Sequence, residues 1–271
     1  MCVSHARTFT YINSTVKLTL TMKRIIILIG VFISMAAAQV VFGQTVEGNI
    51  TYESKVNLHR RLPVERAEMK SMIPEYRTTN EQLFFNAEAS MYKPIIEDEE
   101  DQFEAEGGGR RMTMRFRQPA SEVYVNQNSM EVISKQEFQG KDYLVLDTLE
   151  LSPWKFGTEE KTIQGYVCKQ AYRTDETIPD RKQEITVWYT DKIRPFVGPE
   201  RFNTLPGAVL AVDVNNGERV IVATKIELKS LKKNDVVTPT KGQKITSAEF
   251  RKMMDEQMQK MRANGGMIIR N

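Results

Sequence analysis

The chain has 271 residues, 41% hydrophobic and 27% charged, which is ordinary for a globular protein with room for a sizeable core. Its formal charge of +3 is misleading, because the first 43 residues contain Arg7, Lys17, Lys23 and Arg24 but no acid. Taking those four from the 38 basic residues leaves 34 against 35 acidic ones, so the remainder has no overall attraction for phosphate backbones, and nucleic-acid binding is excluded as a leading function.

Met22, Lys23 and Arg24 start a basic segment, Ile25 to Ile33 form an apolar run, and small residues lead to Val41-Phe42-Gly43. This series predicts a signal peptide over 22–43, cleaved before Gln44. The apolar run is about half of the roughly 20 residues that span a bilayer. Residues 1–21 then read as an upstream extension. With no Cys in the cleavage region a lipid anchor is not expected, and the product is periplasmic or secreted, touching membrane only through a partner. Cys168 is the one thiol after the leader, in the strand-like run Gly165-Tyr166-Val167-Cys168, and reads as a packed core residue. His59 is the one histidine there, so a His-based triad or a His-rich metal site is not expected.

From Gln44 onward strands dominate. They are predicted at Thr45–Val56, Glu81–Tyr92, Met112–Arg117, Met130–Ser134, Asp142–Asp147, Thr162–Arg173, Glu184–Thr190, Ala208–Val214 and Glu218–Leu228. Asn215-Asn216-Gly217 supplies residues tolerant of positive φ between the last two, marking a hairpin. A helix is predicted over Pro63–Ile73, starting on proline. Glu97-Asp98-Glu99-Glu100-Asp101 with Gly107-Gly108-Gly109 reads as a solvated, flexible loop, with cation binding or partner docking as alternatives. After a polar linker at 231–245, Thr246-Ser247-Ala248-Glu249 is a capping box, with Ile245 and Phe250 at the hydrophobic-staple positions. The helix it opens runs to about Ala263. The fold class is therefore mainly β: an antiparallel sheet, curved or sandwich-like, over 44–230, with one short internal helix and an amphipathic C-terminal helix within 246–271.

The segment Gly198-Pro199-Glu200-Arg201-Phe202-Asn203-Thr204-Leu205-Pro206-Gly207-Ala208-Val209-Leu210 resembles the signature of the GLPGLI family, exported proteins of Gram-negative bacteria without an established function. Leu205, Pro206 and Gly207 match the name motif, and Trp154-Lys155, the Cys168 segment, Trp188-Tyr189 and Gly198-Pro199 follow the order of features expected for that family. The Leu205-Pro206-Gly207 turn reads as architecture, with Pro206 fixing φ and Gly207 supplying the positive φ of a type II turn.

No catalytic constellation stands out, and no cofactor is implied. The reading is a non-enzymatic envelope protein that binds an apolar ligand or another envelope protein, such as one at the outer membrane. Its oligomeric state is not encoded in any pattern. Two alternatives stand beside it. Met254, Met258 and Met261 share one helix face, and thioethers suit the soft ion Cu(I). A carboxylate pair would instead make a hydrolase. Processing gives the first test: N-terminal sequencing of the exported protein should begin at or near Gln44, and a chain that retains Ile25 to Ile33 would contradict the signal-peptide reading.

Overall fold

The structure, a computed structural model, describes residues 47–62, 64–95, 102–107, 110–115, 121–178 and 181–263. All of them belong to the unit Gln44–Asn271. The upstream extension, the signal peptide, Glu97-Asp98-Glu99-Glu100-Asp101, Gly108-Gly109 and the tail after Ala263 lie outside the described residues.

Among the described residues fourteen strands form two sheets. In chain order they are β1 (Gly48–Asn57), β2 (Tyr76–Phe85), β3 (Ala89–Pro94), β4 (Gln102–Gly107), β5 (Arg110–Arg115), β6 (Glu122–Asn126), β7 (Glu131–Phe138), β8 (Lys141–Thr148), β9 (Lys155–Ile163), β10 (Tyr166–Ile178), β11 (Arg181–Thr190), β12 (Ala208–Val214), β13 (Arg219–Glu227) and β14 (Gln243–Thr246). Twelve make one open sheet in the order β14-β8-β7-β6-β3-β2-β1-β13-β12-β11-β10-β9, antiparallel except for the parallel β14–β8 pair. Among the described residues β4 and β5 pair only with each other, inserted between the partners β3 and β6. The expectation of a mainly β, antiparallel fold is met.

Turn chemistry accounts for the differences from the predicted boundaries. Gln139-Gly140 and Gln164-Gly165 both have positive φ at two successive residues (52° and 74°, 49° and 82°), the geometry of two-residue hairpins. The second of these splits the predicted strand Thr162–Arg173 into the hairpin β9–β10. The predicted strand Glu81–Tyr92 is likewise two strands, because the Asn86 side chain accepts from the N–H groups of Glu88 and Ala89 (3.0 and 2.9 Å) and turns the chain. Asn215, Asn216 and Gly217 have φ of 53°, 49° and 88°, as their sequence requires. The predicted helix over Pro63–Ile73 is a 3-10 helix, Val64–Ser71, preceded by the short helix α1 (Leu58–Arg61), which Asn57 caps by accepting from Arg60 N–H at 3.0 Å. The acidic, glycine-rich stretch is not irregular throughout, since Gln102–Gly107 pairs residue by residue with Arg110–Arg115.

One face of the large sheet is inner, the other outer. Leu83, Tyr92, Val123, Ser134 and Val145 face each other across five strands and are all buried. Farther along, Ile50, Tyr52, Val187, Val212, Ile221 and Ala223 continue the inner core. The connection between β11 and β12, residues 191–207, crosses this face as a strap that inserts Ile193, Val197, Phe202 and Leu205 into the same core. Along a flat sheet β11 and β3 would stand about 24 Å apart, five strand spacings. Yet Arg194, just past β11, donates to the Ala89 carbonyl of β3 at 2.9 Å, so the sheet curls around the strap.

After β13 the chain crosses to the far edge. The segment expected to be a linker packs Val236 against Ala89, Met91, Tyr124, Ile133 and Leu144, then adds β14 beside β8. Thr246 and Glu249 form the capping box, with Glu249 N–H donating to Thr246 Oγ1 at 3.2 Å and Thr246 N–H to Glu249 Oε2 at 3.0 Å. Helix α2 (Ser247–Ala263) then returns over the inner face, stacking Phe250 on Tyr143 and Phe138 at ring distances of 5.7 and 6.0 Å. Met253, Met254 and Ile245 pack beside it.

Gly207 corrects one expectation. It is not in the positive-φ region, and its requirement is steric: a Cβ there would lie 2.0 Å from the Thr190 carbonyl oxygen. Gly207→Ala must push two strand ends apart and is expected to cost about 1–3 kcal/mol. Urea unfolding measures this, and an unchanged midpoint would contradict the close approach.

Candidate functional site

The sheet register brings polar side chains to one end of the inner face. Across five strand pairs, Arg77, Val56, Arg219, Val214, Ile185 and Arg173 stand in one row, so three arginines are interspersed with aliphatic residues. The adjacent row carries Thr79, Ser54, Ile221, Val212, Val187, Ala171 and Phe156. Charge and apolar surface thus meet along a line that no local sequence pattern defines.

Arg219 sits at the centre of the charged end. Its Nη1 donates to Glu200 Oε2 at 3.0 Å, its Nη2 donates to Glu200 Oε1, and its Nε donates to Ser54 Oγ at 3.4 Å. This is the planar fork that guanidinium groups make with carboxylates. Glu200 belongs to the strap, where its φ is 51°. Glu81 lies nearby, buried, accepting from Thr79 Oγ1 at 2.6 Å. Burial pushes its carboxyl above the usual range, against the lowering pull of Thr79, Arg219 and Arg77. Tyr52 donates to the Val209 carbonyl at 2.7 Å and meets Tyr92 edge to face at 6.3 Å. The Tyr92 hydroxyl is buried and has no hydrogen-bond partner among the described residues. Burial raises both phenols, so both stay protonated.

The β9–β11 end is aromatic. Phe156 shares the inner face with Ala171 and stacks edge to face on Tyr189 at 6.1 Å, yet remains 59% exposed. Arg173 lies over the Trp154 ring at 5.1 Å and pairs with Asp175 at 3.2 Å. Trp154 donates its indole N–H to Thr204 Oγ1 of the strap at 3.0 Å. Lys161 covers the Trp188 ring at 4.4 Å. Both tryptophans are partly buried and pack against the core.

The residues singled out in the sequence fall elsewhere or are already engaged. Cys168 is buried, its Sγ contacts the Tyr166 carbonyl at 3.4 Å, and burial pushes the thiol up to about 11. His59 sits in α1 and its Nε2 bonds the Ile73 carbonyl at 2.9 Å. Leu205 is buried, Pro206 is exposed, and Gly207 meets the end of β11. Met254, on α2, packs against the Tyr143, Val145 and Phe250 cluster and Met258 is half-buried, while the Met261 side chain lies outside the described residues. No group of three His, Cys, Asp or Glu residues is placed to hold a metal ion among the described residues. No described helix is long and apolar enough to cross a membrane, which says nothing about strands. Sequence reasoning missed Arg219, Glu200, Ser54 and Arg194, because their pairings depend on strand register rather than on local spacing.

Comparison with known proteins places this fold. No curated protein sequence matches the chain. The structure of PNGF-II in the P21 space group is similar, with a TM-score of 0.50 and 16% identity over 78% of this chain. The C2 form of PNGF-II gives 0.49 and 16% over the same share. The chain spans about a third of PNGF-II, 34% and 33% in the two forms, and at this identity the likeness concerns the fold. The family described as N-glycanase peptide, N-terminal domain, matches residues 107–252, more than half of the chain. This match overturns the resemblance to the GLPGLI family. The Leu205-Pro206-Gly207 turn that suggested it is what the tight β11–strap–β12 packing demands, so the three residues report local architecture rather than that family. The chain belongs to the family of N-glycanase N-terminal domains.

Proposed function

We propose that the chain is a non-enzymatic, exported module that binds carbohydrate on glycoproteins of the cell envelope, in the service of N-glycan processing. The observation that carries this reading is Phe156, 59% exposed on the inner face beside Trp154, Tyr189 and the Arg173–Asp175 pair. A pyranose ring presents an apolar C–H face to an aromatic ring and hydroxyls at its edge, and an exposed ring flanked by a cation and a carboxylate suits both. The family's description as an N-glycanase domain supports the ligand class, and the basic, apolar and small-residue leader supports export. The non-enzymatic part rests on how the reactive groups are engaged. Cys168 is a buried thiol held protonated, and His59 is committed to a backbone carbonyl on a different element.

Binding of neutral N-glycan oligosaccharides, followed by calorimetry or NMR shift perturbation, is expected to centre on β9–β11. Phe156→Ala should weaken it about tenfold, ~1.4 kcal/mol, while stability changes by less than about 1 kcal/mol because the ring is largely exposed. Unaltered binding in that variant would remove the proposed platform. A second test concerns the thiol: Cys168 should react with a disulfide reagent at neutral pH only as the protein unfolds, and fast labelling of the folded protein would reopen a nucleophilic role.

A further inference from the structure

We infer that Arg219 is a receptor for the carboxylate of an acidic sugar, and that Glu200 occupies it as an intramolecular stand-in until such a ligand displaces it. The inference rests on the carbohydrate reading above and names the ligand class at a second point of the same inner face.

The fork geometry is the first support. Two Arg219 nitrogens address the two Glu200 oxygens, and Ser54 accepts from the third nitrogen, so one carboxylate fills the guanidinium as a ligand carboxylate would. The anchor is fixed by the sheet: Arg219 lies on β13 between Val56 and Val214, and Ser54 is 1% exposed. The occupant is not. Glu200 comes from the strap, at a left-handed φ of 51° that side chains other than glycine adopt reluctantly, and its side chain is 32% exposed. Glu200 can therefore swing outward without disturbing the apolar strap residues beneath it.

The second support is independent. Tyr92 is 4% exposed, and its buried hydroxyl has no hydrogen-bond partner among the described residues. It stands diagonal to Glu81 in the register, on the face that carries Arg219, and the charges of Glu200, Glu81 and Arg219 all act on it. A buried donor left unmatched is costly, and a sugar hydroxyl or ring oxygen entering beside the carboxylate would satisfy it. Arg173 lies in the same row, three strand spacings or about 14 Å from Arg219, which places the two ends of one oligosaccharide within reach of the carboxylate receptor and the Phe156 platform.

The test titrates the full exported chain with glucuronic acid and with its uncharged methyl ester. Glu200→Gln should bind the acid about tenfold more tightly than the unaltered protein, since a competing charge-assisted pair is removed. The ester should not distinguish the two. Arg219→Gln should lose the preference for the acid, and Arg219→Lys, which keeps the charge without the fork, should lose most of it. If Arg219→Gln does not fold, the lysine variant and the Glu200→Gln gain decide the matter. Equal affinity for acid and ester in Glu200→Gln, or no binding of the acid to any variant, overturns the inference. Neutral N-glycan binding and its dependence on Phe156 are followed on the same samples. If those persist while the acid preference is absent, only the receptor falls. If they fail while the acid preference follows Arg219 and Glu200, the carbohydrate platform falls and the receptor stands.

Discussion

The structure depends on one constraint: a twelve-stranded open sheet has an apolar inner face that must be covered by its own chain. The strap of residues 191–207 does most of this. It leaves β11, sets Ile193 and Val197 into the core, sends Glu200 to Arg219 on β13, and returns with Phe202 and Leu205 to start β12. Such a path leaves no space between backbones. A Cβ at Gly198 would lie 2.1 Å from the Phe202 carbonyl oxygen, as one at Gly207 would from Thr190. Arg194 fastens the strap to the opposite half of the sheet, donating to Gln127 Oε1, the Pro195 carbonyl and the Ala89 carbonyl at 2.8 to 2.9 Å. Its acceptors are neutral, and burial lowers the guanidinium to about 10, still charged at neutral pH. Burying a cation on neutral acceptors is tolerable only when the hydrogen bonds are well made.

The far edge is covered by another device. The outer residues of β3, β6, β7 and β8 meet Val236, and the inner residues Tyr143 and Val145 meet Phe250 of α2. The chain thus crosses the outer face, protects the β8 edge with β14, and closes over the inner face. Among the described residues the edge strand β9 has no such strand beside it. Its sequence, with Lys155, Glu159, Glu160 and Lys161, places charges along the open edge, a common means of discouraging pairing with other chains.

Legibility in the sequence followed the range of the interactions. Ala208–Val214 and the Asn215-Asn216-Gly217 turn were readable because β-branched alternation and left-handed conformers are local properties. So was the α2 start, since the capping box spans four residues. The Gln164-Gly165 turn has no such local mark, because Gln is not a common first residue of such turns and the apolar pattern runs across it. Gly207 after Pro206 looks like a conformational glycine in sequence, but its need comes from Thr190, placed beside it by the fold. The candidate site was least visible. Arg77, Arg219 and Arg173 come from three separate strands, and only the sheet register sets them in one row. Family membership too came from the comparison over residues 107–252, while the short motif pointed elsewhere.

If the strap is part of the core, both sites on the inner face are held by a fixed floor: Thr204 positions Trp154, and the strap backbone presents Glu200 to Arg219. Native-state hydrogen exchange at the Val209 amide tests this most directly, because that N–H donates to the Val197 carbonyl of the strap at 2.8 Å. The account predicts exchange only through global unfolding, with the same free energy and denaturant dependence as the central sheet amides of β1 and β13. Exchange of Val209 through a local opening, while those strands remain protected, would contradict it and show the strap to be a separate, movable element.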